Sequence, residues 1–298
     1  MEIKKSGIIT ICGRPNVGKS TLTNALVGEK VAIVSNKPQT TRNRICGILN
    51  REDTQFVFVD TPGLHKARTR LGDYMVNVVK ESVADVDAIM LLVEPIANIG
   101  APEQQLIDRI KTIGCPAVLV INKVDTLEKK EELLEVIQLY SQACDFKAIV
   151  PISARKKEGV EELLNILQEF VVEGPQLFPE DMTSDQPERQ MMAEILREKM
   201  LLCLDKEIPH GTAVEIVRFA ERDDEVVEVD ATIYCERNSH KGIIIGKGGA
   251  MLKKVSSLAR KDMEKFMGTK VFLQTWVKVK ENWRDNPAAI QNFGYKGE

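Results

Sequence analysis

Residues 7–28 read GIITICGRPNVGKSTLTNALVG, and this stretch decides the fold of the N-terminal part of the chain. Its apolar start predicts a β-strand, and the segment after residue 18 predicts a helix. Between them lies the pattern G-x-x-x-x-G-K-S/T, typical of a loop whose backbone N–H groups surround phosphates. We expect Lys19 to neutralise the β- and γ-phosphates and the Ser20 hydroxyl to ligate Mg²⁺. The predicted phosphate-binding residues are Gly13, Arg14, Pro15, Asn16, Val17, Gly18, Lys19 and Ser20.

The composition is that of an ordinary globular protein. The chain has 298 residues, of which 43% are hydrophobic and 29% charged. Its cysteines never approach a C-x-x-C spacing, which argues against a zinc site or a disulfide framework. The apolar run near the N-terminus is too short for a signal peptide or a membrane span. We therefore expect a cytoplasmic location.

Short apolar runs alternate with helical segments over the first 170 residues, which predicts an α/β fold with a largely parallel sheet. The second and third runs are too close for a helical crossover and should form a hairpin, which makes the six-stranded sheet mixed. The predicted strands are 7–12, 45–50, 54–60, 87–93, 116–122 and 147–153. The predicted helices lie at 19–28, 68–82, 103–113, 129–143 and 158–171.

The tetrapeptide DTPG begins at Asp60, at the end of a predicted strand. On its own it is typical of a turn that closes a strand. Behind a phosphate loop, Asp60 can hold Mg²⁺ through water and the Gly63 amide can contact a γ-phosphate. A threonine of the segment SNKPQTTRNR should complete the Mg²⁺ shell, and the sequence leaves Thr40 and Thr41 as alternatives. The predicted switch residues are Thr40, Thr41, Asp60, Thr61, Pro62 and Gly63.

The segment NKVD at 122–125 follows an apolar strand and indicates which base is bound. The Asp125 carboxylate offers two acceptors for the N1–H and 2-amino donors of guanine, a pair that adenine lacks. We expect Asn122 and Lys123 to brace this loop and cover the ring. The Ser153–Ala154 pair, which follows another strand, can offer a backbone amide to the guanine oxygen.

Four segments, each at the end of a strand, resemble the guanine-nucleotide-binding domain of P-loop GTPases. In chain order they are GRPNVGKS, DTPG, NKVD and the Ser153–Ala154 pair. The paired threonines resemble the TrmE–Era–EngA–Septin-like branch. The resemblance implies hydrolysis of GTP to GDP and phosphate. Many small GTPases carry a glutamine where this chain has Leu64, which cannot orient water, so we expect slow intrinsic hydrolysis. In similar loops an asparagine at the position of Asn16 binds K⁺; the alternative is that Asn16 only shapes the loop.

A second domain follows a proline-rich segment that we interpret as a linker. The order beyond it is helix (188–206), strand (212–221), strand (226–236), helix (240–246), helix (249–266) and strand (270–280). We predict a first domain at 1–172, a linker at 173–187, a second domain at 188–283 and a tail at 284–298. Charge changes sign within the second part: residues 181–236 carry a net −9 and residues 237–280 a net +9. Such a basic block suits a polyanion.

The segment GIIIGKGGAMLKKV and the element order resemble a smaller α+β domain, the type II KH domain. That resemblance implies a groove for about four single-stranded nucleotides beside a G-x-x-G loop. We expect residues 243–245, Met251 and Leu252 to line this groove. Both tryptophans, Trp276 and Trp283, are expected to be buried; the alternative is that they stack on bases. The predicted RNA-binding residues are Arg237, Lys241, Gly246, Lys247, Gly248, Gly249, Lys253 and Lys254.

A GTPase domain followed by one KH domain resembles the Era family of bacterial GTPases over almost the whole chain. The resemblance implies binding near the 3′ end of 16S ribosomal RNA, help in the maturation of the small (30S) ribosomal subunit, and peripheral association with the inner face of the membrane. We expect no stable oligomer. Two alternatives are an assembly or tRNA-modifying GTPase of a related branch, and an RNA-binding scaffold that uses GTP only structurally. The first requires a catalytic cysteine motif or a second GTPase domain, and the sequence has neither.

Overall fold

The computed structural model of the protein describes residues 3–64, 67–83, 85–222 and 225–295. The last three residues of the predicted tail, 296–298, therefore lie outside the described part. The chain divides into two compact units. Unit 1 comprises Met1–Ala32, Thr41–Lys66 and Met75–Asp185, and unit 2 comprises Ile33–Thr40, Ala67–Tyr74 and Gln186–Glu298. In the described part of the chain, no helix is both long enough and apolar enough to cross a membrane.

Unit 1 is built on one mixed sheet with the strand order β2-β3-β1-β4-β5-β6. Strand β2 runs antiparallel to β3, and the other neighbours in this order are parallel. The predicted six-stranded mixed sheet is confirmed; a two-residue strand β7, antiparallel to the start of β1, was not predicted. The strands are β1 Lys5–Cys12, β2 Ile45–Arg51, β3 Thr54–Asp60, β4 Ala88–Val93, β5 Ala117–Ile121, β6 Ala148–Pro151 and β7 Val172–Glu173.

Helices cover both faces of this sheet, which explains why β4 and β5 are apolar at every position. Along β4, Met90 and Leu92 pack with α1 and α5, whereas Ile89 and Leu91 pack with α2, α3 and α4. The result is a three-layer α/β arrangement in which the loops at the carboxyl ends of the strands stay free for ligands. The helices are α1 Lys19–Val27, α2 Arg70–Glu81, α3 Ala101–Ile113, α4 Lys130–Ala143 and α5 Val160–Leu167.

Most of the segment predicted as a linker, residues 173–185, belongs to unit 1 and is hydrogen-bonded to strands of its sheet. The Gln55 side chain accepts from the backbone N–H groups of Leu177 and Phe178, both at 2.8 Å. Farther along, the Cys46 N–H donates to the Asp185 carboxylate at 2.9 Å. The segment lacks helices and long strands, as its prolines indicate, and it covers part of the outer edge of the sheet.

Unit 2 contains a three-stranded sheet of order β10-β9-β8, with β9 parallel to β10 and antiparallel to β8. One face of the sheet is covered by α6, α7 and α8, which share an apolar core with Val229, Ala231 and Ile233 of β9. Its elements are α6 Glu188–Cys203, β8 Ala213–Glu221, β9 Val226–Cys235, α7 Asn238–Ile245, α8 Ala250–Met267, β10 Lys270–Val279 and α9 Pro287–Asn292.

Helix α9 was not predicted and lies in the segment that we interpreted as a tail. Asn286 caps it, since its side chain accepts from the Ala289 N–H at 3.2 Å. Pro287 occupies the first turn, where its missing N–H costs nothing. An asparagine followed by proline is a helix-start signal, so the sequence did carry this information.

Residues 33–40 also belong to unit 2, where α6 holds their backbone. The buried Arg197 donates to the carbonyl oxygens of Gln39 and Thr40, and the Val34 N–H donates to the Glu198 carboxylate at 2.9 Å. Burial acts to lower the pKa of Arg197, but the neighbouring Glu194 carboxylate outweighs it and raises that pKa. The guanidinium is therefore a permanent cation that fixes two backbone carbonyls.

Candidate nucleotide site and nucleic-acid interface

The loop at 13–18 joins β1 to α1 and closes around the ammonium group of Lys19. This side chain is buried, and its Nζ donates to the carbonyl oxygens of Gly13 at 3.2 Å and Arg14 at 3.0 Å. Burial lowers its pKa to about 8, and the Asp60 carboxylate limits that decrease. The cation thus lies inside the loop, at the N-terminal end of α1, where an anion is favoured.

Three buried oxygen groups meet beside this lysine. The Ser20 hydroxyl donates to Asp60 Oδ2 at 2.6 Å and lies 2.8 Å from the Thr41 hydroxyl, which is 3.3 Å from the same carboxylate oxygen. Burial raises the pKa of Asp60, although Lys19 and these hydrogen bonds oppose that rise. The other carboxylate oxygen, Asp60 Oδ1, is buried without a hydrogen-bond partner among the described residues.

This oxygen cluster fits a small divalent cation, because Mg²⁺ prefers hard oxygen ligands and because one carboxylate oxygen lacks a partner. Thr40 does not join the cluster, since its hydroxyl donates to the Lys37 carbonyl at 2.7 Å. Among the residues that the structure describes, no group of three or more His, Cys, Asp or Glu side chains could hold a metal, and none of the six cysteines forms a disulfide.

The DTPG segment runs directly against the phosphate loop. The Thr61 hydroxyl donates to the Ile11 carbonyl at 2.8 Å, inside unit 1. A Cβ atom on Gly63 would lie 2.6 Å from the backbone nitrogen of Pro15, so only glycine permits this approach. The next side chain, Leu64, is buried in the apolar cluster that contains Cys12. It therefore cannot reach a water molecule at the nucleotide.

The segment at 122–125 connects three loops at the carboxyl edge of the sheet. Asn122 donates from Nδ2 to the Val17 carbonyl at 2.8 Å and accepts at Oδ1 from the Ala154 N–H at 3.0 Å. The Ser153 hydroxyl donates to Asp125 at 2.7 Å, and this hydrogen bond lowers the pKa of that carboxyl. Asp125 is half-exposed. The structure thus brings the predicted base-contacting residues together at the rim of the phosphate loop.

The G-x-x-G loop lies between α7 and α8 in unit 2. Gly246 has φ 72°, and a Cβ atom there would lie 2.8 Å from that of Met251, so the turn requires glycine at this position. Among the predicted phosphate contacts, Lys241 is half-buried. The exposed ones are Arg237, Lys247, Lys253 and Lys254.

Two expectations about apolar side chains of unit 2 were wrong. Ile244 does not line a groove, since it is fully buried in the core of unit 2, while its neighbour Ile243 is 49% exposed. Trp283 is buried as predicted, with its ring N–H donating to the Gly211 carbonyl at 2.9 Å. Trp276, by contrast, is 45% exposed. It lies on β10 next to the buried Val277, and alternate residues of a strand point to opposite faces.

Comparison with known proteins identifies the family. The family model described as a 50S ribosome-binding GTPase matches residues 8–123, and a KH-domain model matches residues 207–284. GTPase Era of Ruminiclostridium cellulolyticum is 51% identical over 292 residues, which cover 98% of each chain. The chain belongs to the Era family of GTPases.

Solved Era structures agree with this membership over the full length. The crystal structure of Era in complex with MgGDPNP and nucleotides 1506–1542 of 16S ribosomal RNA matches with a TM-score of 0.94, at 36% identity, over 99% of this chain and 100% of that one. A single-residue variant of Aquifex aeolicus Era bound to GDP.AlF4− also gives 0.94 at 36% identity, over 98% of this chain and 100% of that one.

Sequence reasoning missed one charged residue at the nucleotide site of this Era-family chain. Glu94 directly follows β4 and accepts from both Arg14 and Lys123. Its signal was an acidic residue at the carboxyl end of a buried strand, but no motif drew attention to it. Its contacts become visible only when the strand order is known.

Proposed function

We propose that this protein is a GTP-binding and GTP-hydrolysing switch. Its KH domain would bind the 3′ region of 16S ribosomal RNA, and the protein would assist maturation of the small (30S) ribosomal subunit. The observation that carries the proposal is the full-length likeness to an Era structure that holds MgGDPNP and that RNA. We assign the GTPase domain to 1–172, the linker to 173–187, the KH domain to 188–283 and the tail to 284–298.

The phosphate and metal contacts follow from the buried groups around Lys19. Its ammonium would exchange the loop carbonyls that it now contacts for the β- and γ-phosphates. The residues that would hold Mg²⁺ are Ser20, Thr41 and, through water, Asp60, because their oxygens already lie together. When bound, Mg²⁺ neutralises charge on the phosphate oxygens. Thr41 is favoured over Thr40, whose hydroxyl bonds to a backbone carbonyl.

Recognition of guanine would depend on Asp125. The Ser153 hydroxyl holds this carboxylate in place and keeps it ionised by lowering its pKa. Two acceptor oxygens in one plane match the adjacent N1–H and 2-amino donors of guanine. Asn122 would keep this loop at a fixed distance from the phosphates, through its hydrogen bond to the Val17 carbonyl.

Hydrolysis would need a group other than the side chain at position 64 to orient the attacking water. Leu64 stands where many small GTPases have glutamine, but it is buried and has no hydrogen-bonding group. We propose that a K⁺ ion bound with the exposed Asn16 supplies part of that help. Asn16 lies in the phosphate loop with a left-handed φ of 66°. The alternative is that this asparagine is there only because its backbone conformation suits the residue type.

RNA binding would use the G-x-x-G loop and the basic side chains near it. Lys247 is exposed between α7 and α8, and Lys253 and Lys254 are exposed on the first turns of α8. Side chains of this charge neutralise phosphates, while a loop poor in side chains lets the RNA backbone approach.

We include a cytoplasmic location in the proposal. Peripheral membrane association has no support among the described residues.

The most informative experiment measures GTP hydrolysis with and without isolated small ribosomal subunits, in KCl and in NaCl. We expect slow hydrolysis alone, faster hydrolysis with the subunit and a further increase in K⁺. Equal rates in K⁺ and Na⁺ would remove the K⁺ proposal only. Binding of GTP and RNA without any hydrolysis would instead identify a scaffold that uses GTP structurally.

A further inference from the structure

Glu94 lies between the two loops that would bind the two ends of a nucleotide. It directly follows β4, which lies between β1 and β5 in the sheet. Strand β1 leads into the phosphate loop and β5 leads into Asn122. Because these three strands are parallel and their carboxyl ends are in register, the residue after β4 faces both loops.

The two oxygens of Glu94 contact a different cation in each loop. Oε2 is 2.5 Å from the Arg14 guanidinium, and Oε1 is 2.5 Å from Lys123 Nζ. Lys123 Nζ also donates to the Asn16 carbonyl at 2.7 Å, and Arg14 lies 3.3 Å from the buried Glu103 carboxylate. Burial favours a raised pKa for Glu94, but Lys123 and Arg14 outweigh it, so the pKa is lowered and the group stays ionised.

Backbone conformation gives a second reason to regard this arrangement as constrained. Asn16 and Lys123 both have φ 66°, in the left-handed region. A lysine rarely adopts this conformation, and a residue held there needs surrounding contacts that fix it. The bonds from Lys123 to Glu94 and to the Asn16 carbonyl connect these two positions directly.

We infer that Glu94 is a positioning residue that holds the phosphate loop, 13–18, and the base-contacting loop, 122–125, at a fixed separation. It thereby slows nucleotide release. The inference rests on the proposed function, because it takes this pocket as a guanine-nucleotide site. Exposed ion pairs contribute little to stability. The side chains of these two ion pairs are only 23–35% exposed, so water screens their charges less. Because a bound nucleotide needs both loops at once, loss of these contacts should act on nucleotide release.

The test is the release of a fluorescent GDP analogue from the full chain, followed by stopped flow. Glu94→Gln keeps the shape and removes the charge, which leaves two cations facing each other. We expect release to accelerate at least about tenfold, while association changes by less than about threefold, since contact losses act mainly on dissociation. The matched control is Glu135→Gln, at an exposed position on α4, and it should release at the rate of the unaltered protein.

Further measurements separate positioning from general destabilisation. Glu94→Asp keeps the charge, so its release should be slower than that of Glu94→Gln. Added salt screens the two ion pairs, so it should accelerate release from the unaltered protein more than from Glu94→Gln. Arg14→Gln should also accelerate release, and its effect should not multiply with that of Glu94→Gln, because both remove the same contact. If Glu94→Gln does not fold, Glu94→Asp tests the link, because its shorter side chain should not contact Arg14 and Lys123 together and should therefore accelerate release.

Release from Glu94→Gln or Arg14→Gln within twofold of the unaltered rate would overturn the inference, as would effects that multiply. Failure of the proposed function has a different signature, because the unaltered chain would then not bind the GDP analogue at all. That result would remove both proposals together.

Discussion

The side chain of Asn122 donates from Nδ2 to the main-chain carbonyl of Val17 at 2.8 Å. Its Oδ1 accepts from the Ala154 N–H at 3.0 Å. One buried side-chain amide therefore forms hydrogen bonds with the backbone of two other loops. The loops that follow β1, β5 and β6 are therefore joined through a single side chain. Its position depends on the parallel order of those strands, because only that order brings their carboxyl ends to one edge.

Asn122→Ala should weaken GDP binding at least about tenfold and lower the free energy of unfolding by about 1–3 kcal/mol. The substitution leaves a buried carbonyl and a buried N–H without partners. Titration calorimetry with GDP and urea unfolding measure the two effects. Asn165→Ala, at an exposed position on α5, is the matched control. GDP affinity within twofold of the unaltered protein would show that the bridge between loops does not matter for binding.

The sequence predicted most of the fold because local patterns carried it. The run at β4 is apolar at every position, as a strand buried on both faces must be. Lys19 begins α1 and Asp60 ends β3, each in a recognisable motif. Each of these signals needs only a short stretch of chain.

Other features depend on which strands are neighbours or on the direction of a side chain. Glu94 meets Arg14 and Lys123 only because β4 lies between β1 and β5. Trp276 is exposed and Trp283 buried although both are the same residue type near the end of one domain. Sequence alone does not contain those neighbours or directions, so these points required coordinates.

Removal of one hydroxyl should distinguish the two adjacent threonines. Thr41→Val should raise the Mg²⁺ concentration needed for tight GTP binding, and lower the hydrolysis rate, at least about tenfold, because its hydroxyl lies in the oxygen cluster. Thr40→Val should change either quantity by less than about threefold. Nucleotide release and phosphate production at graded free Mg²⁺ set with EDTA measure this. If Thr40→Val produced the larger loss, Thr40 would be the ligand.

Asp125→Asn should change which base is bound. An amide in place of the carboxylate loses one acceptor for the guanine donors and gains a donor for the 2-oxo group of xanthine. We expect GTP affinity to fall at least about hundredfold and XTP to become the better ligand. Separate calorimetric titrations with GTP and with XTP measure the preference, with the exposed Asp145→Asn as control. Unchanged GTP binding would contradict the assigned role of Asp125.

Lys247→Ala should weaken RNA binding without changing the fold, since this side chain is exposed between two helices. Loss of one phosphate contact should lower the slope of log affinity against log salt concentration by about 0.7 for single-stranded RNA. The matched control is Lys265→Ala, at an exposed position in the last turn of α8. Fluorescence anisotropy with an RNA of the 16S 3′ sequence measures both. Equal slopes for the two variants would mean that Lys247 does not contact phosphate.

Stability at alkaline pH should report on the contact between Tyr234 and Glu215. The Tyr234 hydroxyl donates to the Glu215 carboxylate at 2.9 Å. Burial, and then the hydrogen bond to Glu215 and its charge, raise the tyrosine pKa to about 12 from an ordinary value of 10.0. Between these values the unfolded chain releases the phenol proton and the folded chain keeps it, so the free energy of unfolding should fall as pH rises above about 10.

Tyr234→Phe removes the titrating group, so its stability should decline less steeply over that pH range, at a cost of about 1 kcal/mol at pH 8 for the lost hydrogen bond. Glu215→Gln keeps the tyrosine but removes the neighbouring charge, so it should show a smaller alkaline decline than the unaltered protein. Urea unfolding at a series of pH values compares the three proteins. Parallel curves for all three would mean that Tyr234 ionises equally readily in the folded and unfolded chains, and would contradict the raised pKa.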